Sequence, residues 1–140
     1  MRIVGVIAEY NPFHSGHAHQ LRQAREAAHA DAVVAVQRGD AAIVSPAVRA
    51  AMALQNGADA VILLPTLWSV RDAEHFALGG VHLLIGLGCD ALSFGAETAD
   101  LPLLQAAADA LESPDLPAAI QPHLSAGLPY PAALSAAMAE

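Results

Sequence analysis

Short apolar runs alternate with helical stretches over roughly the first two thirds of the chain. Ile3-Val4-Gly5-Val6-Ile7, Ala32-Val33-Val34-Ala35-Val36, Ala60-Val61-Ile62-Leu63-Leu64 and Cys89-Asp-Ala-Leu-Ser-Phe94 read as strands. Nearly continuous apolar character over such short runs predicts burial on both faces. Between them the period changes to that of a helix. Ala18, Leu21, Ala24 and Ala28 recur at helical spacing in a segment starting near Ser15. Ser45-Pro46 is an N-cap followed by proline at the first helical position, with Val48, Met52 and Leu54 as the expected apolar side and Asn56-Gly57 as the stop. Arg71-Asp72-Ala73-Glu74 opens the next helix, with Phe76, Leu83, Leu84 and Leu87 as its apolar side. Gly79-Gly80 there would let a neighbouring backbone come close, and Gly86-Leu87-Gly88 ends it. Beyond Asp100 only helical pattern remains, over Leu101 to Leu111, Leu116 to Leu124 and Ala132 to Met138, punctuated by Pro114, Pro117, Pro129 and Pro131. The order predicts an α/β fold: a mainly parallel sheet of about four strands flanked by helices, with right-handed helical crossovers and a helical C-terminal part. One domain is expected over 1–140, with a sheet core at 1–98 and a helical tail at 99–140.

Composition narrows what such a fold can bind. The chain has 140 residues, 14 acidic and 6 basic, all six being arginine, for a formal net charge of -8. Such a surface does not grip nucleic acid unaided, so any anion site must be local, built from helix ends, histidines and one or two arginines. The 55% apolar fraction is inflated by alanine, which reports helix propensity more than core. No segment is long and apolar enough to span a bilayer. The N-terminal apolar run is interrupted by Glu9 and lacks a small-residue cleavage pattern, so no signal peptide is expected. A single Cys89 beginning a strand reads as a buried reduced thiol and supports a cytoplasmic location.

The chemistry gathers where the first strand meets the first helix. Ala8-Glu-Tyr-Asn-Pro-Phe-His-Ser-Gly-His17 turns at Asn11-Pro12 and places His14 and His17 at the first turn of the helix. There the free N–H groups and the positive end of the dipole attract phosphate. Gly16 would let a phosphate or base approach the backbone, and the imidazoles can donate to phosphoryl oxygens as charge develops, which describes a nucleotidyl-transfer site. No matching Cys/His spacing supports a zinc site at this pair, with His19 nearby and Cys89 far off. In an open parallel sheet the other strand ends reach the same region. Gln37-Arg38-Gly39-Asp40 is read as the loop ending the second strand. Arg38 either touches a phosphate or pairs with Asp40, and pairing is the simpler alternative. After the third strand a loop holds Thr66, Trp68 and Ser69; Trp68 either stacks on a base or covers the end of a core. His75 and His82, seven apart on about one helix face, are read as packed or solvated more readily than as ligands. Gly95, in the loop after the fourth strand, would let an adenine or ribose lie against the backbone.

With these residues in place, the chain resembles the bacterial tRNA(Met) cytidine acetate ligase family, a branch of the H-x-G-H nucleotidyltransferases with a Rossmann-like domain. The likeness rests on Glu9-Tyr-Asn-Pro-Phe-His-Ser-Gly-His17, Gln37-Arg38-Gly39, Met52-Ala-Leu-Gln-Asn-Gly-Ala-Asp59, Gly88-Cys89, Ser93-Phe-Gly-Ala-Glu97 and Gly127-Leu-Pro-Tyr-Pro-Ala-Ala133. The resemblance implies activation of acetate with ATP to acetyl-adenylate, release of pyrophosphate, and acetylation of the wobble cytidine of elongator tRNA(Met). It implies that Ile7, Ala8, Glu9, Tyr10, Asn11, Pro12, Phe13, His14, Ser15, Gly16, His17 and Gln20 hold ATP, with Gly95 against the nucleoside. His14 and His17 would act on the phosphates, and Mg2+ would accompany the nucleotide. Family members carry a Ser-Gly-Asn-Phe-like segment before Gln-Arg-Gly, whereas here Val36 runs straight into Gln37. Their downstream Pro-Asn-Asn and Ser-Ala-Thr-x-Ile-Arg type motifs have no counterpart in these residues, nor has a basic tRNA-holding region. The expectation is adenine-nucleotide binding without tRNA acetylation by this chain alone. A different adenylyl- or cytidylyltransferase, or a non-catalytic nucleotide-binding or interaction module, stands as the alternative. A homodimer through exposed apolar surface on the last helices is left open.

Overall fold

Strands β1 (Ile3–Ala8), β2 (Ala32–Arg38), β3 (Ala60–Leu64) and β4 (Ala91–Ser93) form one parallel sheet in the order β3-β2-β1-β4. The structure is a computed structural model that describes residues 1–39 and 42–139. The chain divides into two compact units, Met1–Gly95 and Ala96–Glu140.

In the first unit β1 is central, pairing with β2 through Val4↔Val33 and Val6↔Ala35 and with β4 through Val4↔Ala91 and Val6↔Ser93. That position is why its sequence is apolar at every step. Val4 and Val6 pack with Val33 and Ala35, with Leu21 and Ala24 of α1 (Ser15–Ala28) and with Ala53 of α2 (Pro46–Gln55). On the opposite face Val36, Leu64 and Ile7 pack with Leu84 of α4 (Ala73–Gly86) and with Trp68 of the one-turn helix α3 (Thr66–Ser69). Apolar area buried on both faces is what holds such a sheet together.

Four details depart from the expectations. First, β2 continues through Gln37 and Arg38, expected in a loop, because they stay in register with Ala8 and with Leu63 and Leu64 on either side. Second, β4 is confined to Ala91–Ser93: the Cys89 N–H closes α4 on the Leu84 carbonyl, and the Asp90 carboxylate is spent on the Ile3 N–H. Third, the segment after Pro65 is helical and not a loop, with the N–H groups of Trp68 and Ser69 donating to the Pro65 carbonyl. Fourth, the buried positions of α2 are Arg49 and Ala53, while Val48 and Leu54 are exposed, and Leu87, just past the end of α4, is exposed as well. Gly79 and Gly80 do permit close approach, but of side chains and not of backbone. A Cβ on Gly79 would lie 2.7 Å from the Trp68 ring and one on Gly80 2.7 Å from Ile7 Cδ1.

The N-terminal edge of the sheet is closed by one repeated device, an aspartate one residue before each of β2, β3 and β4. Asp31 accepts from the Arg2 N–H, Asp90 from the Ile3 N–H and Asp59 from the Val33 N–H. Asp59 also pairs with Arg25, whose other donors reach the carbonyls of Asp31 and Gly57. Burial pushes the Asp59 carboxyl up, but the Val33 N–H and the Arg25 guanidinium outweigh it and leave it below the ordinary range.

The second unit contains α5 (Leu101–Leu111), α6 (Leu116–Ser125) and α7 (Tyr130–Ala137). Asp100 caps α5, and prolines stand in the first turn of all three helices. That placement costs no intrahelical hydrogen bond. Among the described residues no helix is long and apolar enough to cross a membrane.

Candidate functional site

The C-terminal edge of β1 delivers the site. After Ala8 the chain passes Glu9 and bends at Tyr10, whose φ of 52° lies in the left-handed region that bulky residues avoid. Tyr10 is held there by complete burial in the core between the sheet, α1 and α2. Asn11 and Pro12, joined by a cis peptide, complete the turn, and the Asn11 side-chain oxygen accepts from the Ile43 N–H at 2.9 Å. Phe13 is half-buried, and α1 begins at Ser15 with His14 as its cap.

The two histidines cap the helix reciprocally. His14 Nδ1 accepts from the Gly16 N–H at 3.1 Å, and His17 Nδ1 accepts from the His14 N–H at 3.2 Å. The rings stack with centroids 3.7 Å apart and planes 25° from parallel. An accepting Nδ1 carries no proton, so each neutral ring holds its proton on Nε2 and keeps that N–H for another partner. Burial, and then the neighbouring His14, push the His17 pKa down, which favours this neutral form. Tyr10 and Phe13 wall His17 with ring centroids 5.0 and 5.5 Å away. Gly16 serves the ring pair directly: a Cβ there would sit 3.0 Å from His14 Cε1. Gln20 follows half-buried on the next turn of α1.

Other expected residues come to the same edge. Ile7 and Ala8 end β1. Arg38 ends β2 and pairs with Glu9 at 2.5 Å, its guanidinium 5.4 Å from the centre of the Phe76 ring. Asp40, the expected partner of Arg38, lies outside the described residues. Gly95 lies two residues beyond β4, with no heavy atom within 4 Å of where a Cβ would stand, so its surface is open. Trp68 covers the end of the α4-side core. The two α4 histidines do not join the site: the backbone N–H and then the ring of His75 hold the Asp72 carboxyl down at about 2, and His82 meets the edge of Trp68 at 6.3 Å. Cys89 is half-buried, and burial followed by the adjacent Asp90 pushes its thiol up. Among the described residues no group of three or more His, Cys, Asp or Glu could hold a metal ion.

The sequence reading missed a buried polar layer beneath this loop. Arg49 of α2 is fully buried and donates to the Glu9 carbonyl. Gln37 is fully buried too, its amide nitrogen donating to the Pro46 carbonyl at 3.0 Å. Among the described residues, the Tyr10 hydroxyl and Gln37 Oε1 have no hydrogen-bond partner. Burial alone raises Tyr10 to about 12, so the hydroxyl stays protonated and is a donor. A period of two along β2 puts Gln37 on the inner face with Val33 and Ala35, a signal available had the strand been extended past Val36. Arg49 gives no such signal.

Known proteins share this fold. Residues 1–140 match the family described as HIGH Nucleotidyl Transferase. The tRNA(Met) cytidine acetate ligase of Latilactobacillus sakei is 46% identical over 125 residues, covering 85% of this chain and 32% of that protein. The ligase of Kosmotoga olearia is 42% identical over 146 residues, covering 99% and 34%. The crystal structure of Thermotoga maritima TmcAL bound with alpha-thio ATP superposes with a TM-score of 0.90 at 34% identity, over 99% of this chain and 36% of that one. Its apo form gives a TM-score of 0.92. The chain thus spans about a third of the length of the curated relatives it matches. With a Rossmann-like parallel sheet and a paired-histidine turn at the exit of its central strand, the chain belongs to the HIGH nucleotidyl transferase family and resembles its tRNA(Met) cytidine acetate ligase branch.

Proposed function

We propose that the turn between β1 and α1 binds ATP and that the chemistry it serves is transfer of the adenylyl group to a small carboxylate. The observation that carries this reading is the reciprocal cap of His14 and His17, which leaves the Nε2–H of two stacked rings as donors at a helix N-terminus. Further support is the alpha-thio ATP bound by the Thermotoga maritima relative. Ile7 to Gln20 would surround the nucleotide, with His14 and His17 on its phosphates and Gly95 against the nucleoside. Mg2+ would arrive on the triphosphate, bound by the phosphate oxygens. The reading takes residues 1–140 as one nucleotidyltransferase-like domain acting in the cytoplasm.

In the reaction a carboxylate oxygen, that of acetate in the ligase reading, attacks the α-phosphorus in line. The bond from that phosphorus to the bridging oxygen breaks, and pyrophosphate leaves with the electron pair. The imidazole N–H groups stabilise charge spreading over the phosphoryl oxygens, and no covalent enzyme intermediate forms. The relatives are named tRNA(Met) cytidine acetate ligases; acetylation of the wobble cytidine of tRNA(Met) by this chain, with formal charge -8, would require RNA contacts from elsewhere. Calorimetric titration with ATP and magnesium tests the binding step. Saturable heat is expected, and an intact fold giving no heat would refute the reading.

A further inference from the structure

Glu9 presents an exposed carboxylate beside the turn assigned to an anionic ligand, a placement that by itself opposes the function. The fold answers that charge. Arg38 reaches from the next strand to Glu9 Oε1, and the face of Phe76 steadies the guanidinium at 5.4 Å. From the other side of the sheet, buried Arg49 donates to the Glu9 backbone carbonyl at 2.5 Å and fixes where the strand ends and the turn begins. One residue is therefore held at both ends by arginines drawn from β2 and α2.

We infer that Arg38 is a positioning residue that acts through Glu9, cancelling and anchoring its carboxylate so that a polyphosphate can enter the His14–His17 turn. The inference rests on the ATP reading above. Arg38 need not touch the ligand. Its effect is to keep a negative side chain tied to the sheet edge and away from incoming phosphate oxygens. The resulting dependence is conditional: losing the arginine is harmful only while the carboxylate remains.

The test is a double-mutant cycle on the full chain, reading affinity for Mg-ATP by calorimetry and folding by melting temperature. Arg38→Ala is expected to weaken binding by about tenfold or more, the scale of an uncompensated charge near the ligand. That loss should shrink at high salt, which relieves repulsion but would not repair misfolding. Glu9→Gln/Arg38→Ala should recover to within about threefold of the parent, and Glu9→Gln alone, which takes a negative charge out of the binding segment, should bind more tightly than the parent. A double variant as weak as Arg38→Ala would overturn the inference, because Arg38 would then be touching the phosphates itself. Loss of binding in Glu9→Gln would overturn it too, showing that the carboxylate is required, and this arm stands even should Arg38→Ala fail to fold. A parent protein that binds no nucleotide removes the ATP reading and this inference together, whereas binding without the coupling removes the inference alone.

Discussion

The two ends of the same sheet are built on opposite terms. At the N-terminal edge Asp31, Asp59 and Asp90 each accept from a backbone N–H of a neighbouring strand, and Arg25 completes the arrangement around Asp59. At the C-terminal edge a buried tyrosine sits in a left-handed conformation, two stacked imidazoles keep their Nε2–H groups in reserve, and the Tyr10 hydroxyl and Gln37 Oε1 are buried without a partner among the described residues. Buried polar groups are ordinarily satisfied, so satisfaction at one end and its absence at the other is informative. The first edge is finished as structure. The second leaves polar groups without a partner among the described residues, at the edge where open parallel sheets receive ligands and where the ATP site is proposed.

Substitutions at the two edges should therefore separate stability from binding. His17→Ala is expected to remove measurable Mg-ATP binding while costing about 1 kcal/mol of stability through loss of the reciprocal cap. Unchanged affinity by calorimetry would move the site elsewhere. Asp59→Ala should do the reverse, costing about 2–3 kcal/mol in denaturant unfolding, because it removes a charge-assisted bond to Val33 and leaves Arg25 without its carboxylate, while the ATP affinity stays within about twofold.

Acid sharpens the contrast. The lowered Asp59 pKa means that its stabilising contribution is fully present above the unfolded value of about 3.9 and is lost as pH falls through the folded value. Asp59→Asn should flatten that acid limb of the stability curve. His17 is also lowered, but its window lies higher: below about 6.5 the unfolded chain takes up the proton first, and stability declines until the folded value is passed. A smaller effect is expected at Tyr10. Because its buried hydroxyl lacks a partner, Tyr10→Phe should leave the ligand-free protein as stable as before or more stable by up to about 1 kcal/mol. A loss of that size would show that the hydroxyl is bonded after all.

How much of this was legible in the sequence follows from what kind of interaction made each part. The inner strands β1 and β2 stood out because a sheet covered on both faces demands uninterrupted apolar residues, and the placement of His14 and His17 at the start of α1 followed from a local strand, turn and helix pattern. Arg49 was hidden because a charged residue on an amphipathic helix is read as surface, and only its bond to a carbonyl 40 residues away makes it core. Gln37 was hidden for a related reason: the apolar run ends at Val36, while the ladder that carries the strand onward depends on Ala8 and Leu63. Gly79 was recognised as a point of close approach, yet nothing local identified Trp68 as what approaches. Local chemistry was readable, then, and the long-range polar contacts that support the site were not.

The central claim is that His14 and His17 each accept at Nδ1 and carry their proton on Nε2, with those N–H groups as the donors for a polyphosphate. Long-range nitrogen–proton NMR of the imidazoles, recorded before and after Mg-ATP, tests it most directly. The account predicts Nε2–H tautomers for this pair in the free protein and, on titration, shifts centred on these two rings and not on His19, His29, His75, His82 or His123. Protons on Nδ1 of the pair, or shifts confined to the other rings, would contradict it.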